Sequence, residues 1–133
     1  MVKVSKSHED YLSTIVTLGG SVEHPVRSID IAKKMGVSKA SVNKAITSLK
    51  EDGLLSQPYY GDVTLTPAGQ EYGMKIVERH NLLVVFMENV LNIDPATAEE
   101  EAHLMEHAIS DASFERWTTY IKDLGLSVPA VGD

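Results

Sequence analysis

The chain contains no cysteine, so no disulfide can staple the fold and no thiolate is available to hold a metal. Aromatic residues make up only 6%, which argues against an all-β sandwich and for a mainly helical protein. No run of about 18 uninterrupted apolar residues occurs, which excludes a membrane-spanning helix. The opening stretch MVKVSKSHEDYL lacks the apolar segment of a signal peptide, and the expectation is a cytoplasmic protein. Internal repeats and low-complexity linkers are absent as well. What remains, 43% hydrophobic residues in a chain of 133, suffices to bury a core in one or two modules.

The formal charge of −7 is unevenly spread. Residues 1–75 carry nine Lys/Arg against eight Asp/Glu, a net of +1, whereas residues 76–133 carry three against eleven, a net of −8. The first half can face phosphates, and the acidic half can hold cations or a partner. Ordinary surface acidity for solubility is the plainer explanation of the second half.

Helix signals recur along the chain. Ser7-His8-Glu9-Asp10 matches a capping box, and Tyr11, Leu12, Ile15, Val16 and Leu18 follow at helical spacing until Gly19-Gly20 stops them. A short helix starts at Ser28 and closes at Gly36; a third, capped by Ser38, presents Val42, Ala45, Ile46 and Leu49 on one face and ends at Asp52-Gly53. Leu54 to Thr66 reads as a hairpin turning around Tyr60-Gly61-Asp62. Thr66-Pro67 caps a long helix expected to reach Leu91, and Asp94-Pro95 starts another expected to reach about Ile109. Ser110-Asp111 opens a last helix carrying Phe114, Trp117, Tyr120, Ile121 and Leu124, and the tail from Gly125 to Asp133 is expected to be loose.

Three helices and a hairpin in that order make a winged helix-turn-helix, followed by a helical domain. The expected division is 1–75 and 76–133, inside the long helix. In a helix-turn-helix the second helix enters the major groove. With Val42, Ala45, Ile46 and Leu49 committed to the core, Ser38, Lys39, Ala40, Ser41, Asn43, Lys44 and Thr47 are left outside. Lysines suit phosphates or guanine acceptors, Asn43 suits a base edge, and the hydroxyls suit phosphate oxygens. Arg27, Tyr59 and Tyr60 are further candidates for DNA contact; either tyrosine can equally pack beneath the wing. The plainer explanation of the helix face is ordinary solvated surface.

His103-Leu104-Met105-Glu106-His107 sets two imidazoles and a carboxylate at i, i+3 and i+4, which is one face of a helix and suits chelation. His80 lies on an otherwise apolar helix face, where a lone histidine is more often a satisfied core residue than a ligand. Asp10 reads either as a ligand or as the third residue of the capping box. Glu99, Glu100 and Glu101 form a carboxylate run that is mostly solvated surface, though Glu99 shares a face with His103. Clustered carboxylates repel one another, and a cation inverts that penalty.

These residues together resemble the diphtheria toxin repressor family of metal-dependent regulators, in its shorter, manganese-sensing branch. The resemblance covers about residues 7–124. It is carried by Glu9-Asp10-Tyr11-Leu12, Asp30-Ile31-Ala32, Gly36-Val37-Ser38, Ser41-Val42, Leu49-Lys50-Glu51-Asp52-Gly53-Leu54, Leu65-Thr66-Pro67-Ala68-Gly69, Arg79-His80 and Glu106-His107-Ala108-Ile109-Ser110. It implies a cytoplasmic repressor that binds a palindromic operator as a homodimer when loaded with Mn(II) or Fe(II). The ligand positions it implies are Asp10, His80, His103, Glu106 and His107, with no organic cofactor and no membrane partner. A metal bridging Asp10 in the reading half and the histidines of the other half would hold the reading heads at one spacing. Three departures stand out. Ser13 occupies the place of a second ligand on the first helix, His103 that of a cysteine or glutamate, and Val84 that of a glutamate in the iron branch's second site. The imidazole-rich set leans toward Co(II), Ni(II) or Zn(II) on affinity alone. The expectation is a member without the SH3-like domain of the longer ones. Two rival readings are a metal-independent winged-helix regulator and a zinc hydrolase of the H-x-x-E-H type.

Overall fold

The computed structural model describes residues 3–131. Residues 1–2 and 132–133, which close the expected domain ranges and the tail, lie outside the described residues. The elements are α1 (Lys6–Thr17), β1 (Val26–Arg27), α2 (Ser28–Met35), α3 (Lys39–Glu51), β2 (Leu55–Ser56), β3 (Asp62–Leu65), α4 (Pro67–Asn89), α5 (Pro95–Met105) and α6 (Asp111–Asp123). The chain divides into two compact units, the first ending at Met74 and the second running Lys75–Val131, so the junction falls within α4. No helix among the described residues is long and apolar enough to cross a membrane.

In the first unit, Leu12 and Ile15 of α1, Ile31 of α2, Val42, Ile46 and Leu49 of α3, and Val63 and Leu65 of β3 are all buried. Each such side chain contributes roughly 1.5–3 kcal/mol by leaving water. The turn between α2 and α3 is made by Gly36, whose φ of 67° is left-handed and natural only to a residue without a Cβ. Ser38 then caps α3 by accepting the backbone N–H of Ser41. The hairpin of β2 and β3 forms as expected, with Leu55 opposite Leu65 and Ser56 opposite Thr64. A third strand went unforeseen: β1 pairs antiparallel with β3, Val26 opposite Val63, giving the order β1-β3-β2. Two residues are too few to show a period, so only the pairing reveals this strand.

Thr66 caps α4, accepting the Gly69 N–H while its hydroxyl donates to the Gly53 carbonyl. Gly69 is required there by close approach, because a Cβ would run into the Leu54 backbone carbonyl. The cap of α1 corrects the sequence reading. Ser5, not Ser7, accepts the His8 N–H, and the helix begins at Lys6. The preceding amide, Val4, donates to the hydroxyl of Tyr72 far along the chain, so a tertiary contact fixes where the helix starts. Asp10 is therefore not the third residue of a capping box.

The second unit packs Leu83 and Met87 of α4 against Ala98 and Ala102 of α5, with Val84, Ile93, Ile109 and Trp117 around them. Phe86 meets Trp117 and Tyr120 edge to face, at 5.1 and 6.4 Å between ring centroids. Asp94 and Ser110 cap α5 and α6 as expected, bonding the Thr97 and Ser113 amides. Helix α4 stops at Asn89 rather than Leu91, just before Asn92 takes a left-handed φ of 55°. Helix α5 ends at Met105, not near Ile109. Ala102, Met105 and Ile109 keep a helical spacing, but the Ile109 carbonyl accepts from the Arg79 guanidinium instead of continuing the ladder.

Candidate metal centre and reading helix

Three histidines of the second unit converge on Glu106, which is 2% exposed. It caps α5 in a helical conformation, with its N–H still bonded to the Ala102 carbonyl. Its Oε1 lies 2.9 Å from His80 Nδ1 and 3.5 Å from His103 Nδ1; its Oε2 lies 3.9 Å from His107 Nε2. One carboxylate is thus ringed by three imidazoles contributed by α4, α5 and the turn that follows α5. Glu99, one turn before His103, reaches the other face of His80, with Oε2 2.5 Å from Nε2.

The hydrogen bond that the His80 ring makes to the Glu106 carboxylate is the largest influence raising the His80 pKa above the ordinary histidine value; burial opposes it and Glu99 adds to it. The resulting stabilisation is complete below the ordinary value and is lost as pH rises through the raised one. A buried carboxylate is costly unless opposite charge or hydrogen bonds compensate it. The 2.9 Å contact with His80 Nδ1 compensates it in part, and a cation would do so more fully.

The donor set fits a divalent transition ion. One ligand atom from each of His103, Glu106 and His107 lies within 4.8 Å of the others. Two to three neutral imidazoles with a carboxylate make a common transition-metal environment. Each imidazole has a second ring nitrogen whose hydrogen bond can fix the tautomer, as Glu99 can do for His80. The structure thus brings His80, Glu99, His103, Glu106 and His107 together, and His80 is no isolated core histidine. Since α5 stops at Met105, His107 reaches the cluster from a turn rather than from the expected helix face. Asp10 lies on α1 of the first unit, half-buried.

The outer face of α3 is exposed along its length. Ser38, Lys39, Ala40, Ser41, Asn43, Lys44 and Thr47 are all exposed, while Val42, Ala45, Ile46 and Leu49 are buried. Two hydroxyls are engaged within the helix: Ser38 donates to Ser41 Oγ, and Thr47 to the Asn43 carbonyl. Arg27 is on β1 rather than on this helix and is ion-paired with Asp30 at 3.1 Å. Tyr59 and Tyr60 are 73% and 102% exposed near the hairpin tip, so neither packs beneath the wing.

Two groups escaped the sequence reading. Arg79, 6% exposed, appeared there only within a motif and without a role. Glu9, 5% exposed, accepts a hydrogen bond from the Tyr72 hydroxyl inside the first unit. Their only signal in the sequence was a charged residue at a position where helical spacing asks for burial.

Comparison with known proteins agrees with this anatomy. Residues 3–63 match the N-terminal DNA binding domain of iron dependent repressors, and residues 66–126 match the iron dependent repressor metal binding and dimerisation domain. An HTH-type transcriptional regulator of Methanocaldococcus jannaschii is 32% identical over 120 residues, covering 90% of this chain and 95% of that one. The regulator MntR of Lysinibacillus sphaericus is 33% identical over 110 residues, covering 83% of this chain and 78% of the other. A solved manganese-dependent transcriptional repressor, in complex with manganese, superposes with a TM-score of 0.75 at 32% identity over 90% of this chain. This chain spans 53% of the length of that one. With a winged helix-turn-helix in one unit and a carboxylate ringed by imidazoles in the other, the chain belongs to the iron-dependent repressor family of metal-dependent transcriptional regulators.

Proposed function

We propose that this protein is a cytoplasmic, non-enzymatic repressor that binds a palindromic operator as a homodimer when loaded with Mn(II) or Fe(II). The observation that carries the reading is the burial of Glu106 among His80, His103 and His107 in a chain that also presents an exposed, lysine-bearing recognition helix. These four side chains would hold the ion, with Glu99 orienting His80 or joining the set. Asp10 is the ligand proposed from α1; the correction of the α1 cap supports it, since its carboxylate is not used as a capping-box partner. The ion supplies positive charge that turns repulsion among carboxylates into attraction.

On the reading helix, Lys39 and Lys44 meet phosphates or guanine, Asn43 meets a base edge, and Ser41 and Thr47 border the backbone. Ser38 serves chiefly to cap the helix, and Ala40 lets it approach the groove closely. Tyr59 and Tyr60 at the hairpin tip, together with Arg27, flank the reading helix as backbone contacts. Leu91, Leu104, Met105, Tyr120 and Leu124 of the second unit are exposed apolar residues, which supports self-association there. A homodimer places two reading helices on two half-sites.

The metal-independent alternative is not favoured, because three histidines turned toward one buried carboxylate are far more than a core needs. The hydrolase reading has no support beyond the H-x-x-E-H spacing. His103 sets the metal preference. His103→Glu should shift the ranking of ions toward Mn(II), and an unchanged ranking would remove His103 from the ligand set. The whole proposal is tested by anisotropy of a labelled operator. Affinity should collapse in chelator and return with added Mn(II) or Fe(II); equal affinity in both conditions would refute it.

A further inference from the structure

The turn that carries Glu106 and His107 is gripped from α4 at both of its ends. At the near end His80 bonds Glu106, as described. At the far end is the preceding residue of α4, Arg79, whose guanidinium makes three separate contacts. Nε donates to the Ile109 carbonyl at 3.0 Å, Nη1 to the Lys75 carbonyl at 3.2 Å, and Nη2 pairs with the Asp111 carboxylate. The group lies 5.2 Å from the centroid of the Phe114 ring. Asp111 is the first residue of α6, and its other oxygen is 3.8 Å from Lys75 Nζ.

The grip explains an otherwise puzzling break. Helix α5 stops at Met105 although the apolar spacing continues to Ile109, and Arg79 takes the carbonyl the helix would have left pointing along its axis. A planar guanidinium with fixed donor directions can define the path of a short turn in a way that a lysine cannot. We propose that Arg79 and Asp111 are positioning residues for the metal centre: they set the exit path of the turn, and so place the Glu106 and His107 side chains against His80. The inference rests on the proposed metal site and deepens it. Neither residue touches the ion; both act through the backbone between Glu106 and Asp111.

Asp111 makes the test practicable, because its side chain is 75% exposed and its replacement leaves the core intact. Co(II) affinity is read by calorimetry and by ligand-field absorption in the parent, Asp111→Asn, Asp111→Ala and Arg79→Lys, with apo-protein melting measured alongside. Partners outside the ligand set are typically worth about 10–100-fold in metal affinity. Asp111→Ala and Arg79→Lys should weaken Co(II) binding by about 10-fold, the lower end of that range. Their absorption bands should shift, with apo melting close to the parent in Asp111→Ala and, in Arg79→Lys, with a loss of affinity larger than any drop in apo melting accounts for. Asp111→Asn, which still accepts a hydrogen bond, should recover part of the loss. If the parent binds Co(II) and the variants match it in affinity and spectrum, the positioning role is overturned while the metal site stands. Affinity that falls only in step with apo melting overturns it too, since that is what a merely structural contact would give. A parent that binds no Co(II) removes the metal site itself, and the positioning role with it.

Discussion

The two units solve the problem of burial in different ways. The first closes around aliphatic side chains from three helices and a small sheet, and α3 leaves a polar, lysine-bearing face exposed, the face proposed to read DNA. The second has a smaller apolar core built around Leu83, Met87, Ala98 and Ala102, and it also buries Arg79 and, among imidazoles, Glu106, whereas the carboxylate buried in the first unit, Glu9, accepts from the Tyr72 hydroxyl. Apolar burial is complete as soon as the chain folds. A buried carboxylate among imidazoles is only partly compensated until something positive sits beside it. The contrast assigns a division of labour: the first unit should be stable with or without metal, and the second should answer to it.

The contrast can be broken at several points. Leu49→Ala empties a fully buried position in the first unit and should cost about 2–5 kcal/mol of stability, seen in thermal or urea melts. Added metal should not repair that loss if the first unit is independent of it. Glu106→Gln attacks the other side. The parent should gain about 2.7 kcal/mol in a metal-dependent melt at an ion concentration 100 times its Kd, and the variant should gain almost none. A full gain in the variant would mean that the ion binds elsewhere. Lys44→Glu, on the exposed face of α3, should weaken operator binding by about tenfold, or 1.4 kcal/mol, with the metal titration unchanged. The smallest effect sharpens the picture of α1. Ser5→Ala should cost about 1 kcal/mol and Ser7→Ala only a few tenths. The reverse order would restore the cap at Ser7.

Much of this was legible in the residues. Gly36, Ser38, Thr66-Pro67, Asp94-Pro95 and Ser110 each carry a local signal that the fold obeys, because caps and turns are decided by neighbours in the chain. The inward face of α3 followed from its period. Where the reading missed, a distant partner had intervened. Tyr72 moved the start of α1 through Val4, β3 recruited the two residues of β1, and Arg79 ended α5 early through Ile109. The centre shows the same pattern. His103, Glu106 and His107 were visible as a spacing, whereas the environment of His80 depended on Glu99 and Glu106, 19 and 26 positions away. Arg79 was hidden because a buried arginine declares itself only through the acceptors it finds.

The central claim is that occupancy of the Glu106 site and grip on the operator are linked, and linkage is reciprocal. The most direct measurement is calorimetry of Mn(II) or Co(II) binding to the free protein and to the protein saturated with operator. Binding should be tighter on the operator, by the same factor by which the ion raises operator affinity. Identical metal affinities in the two states would contradict the account.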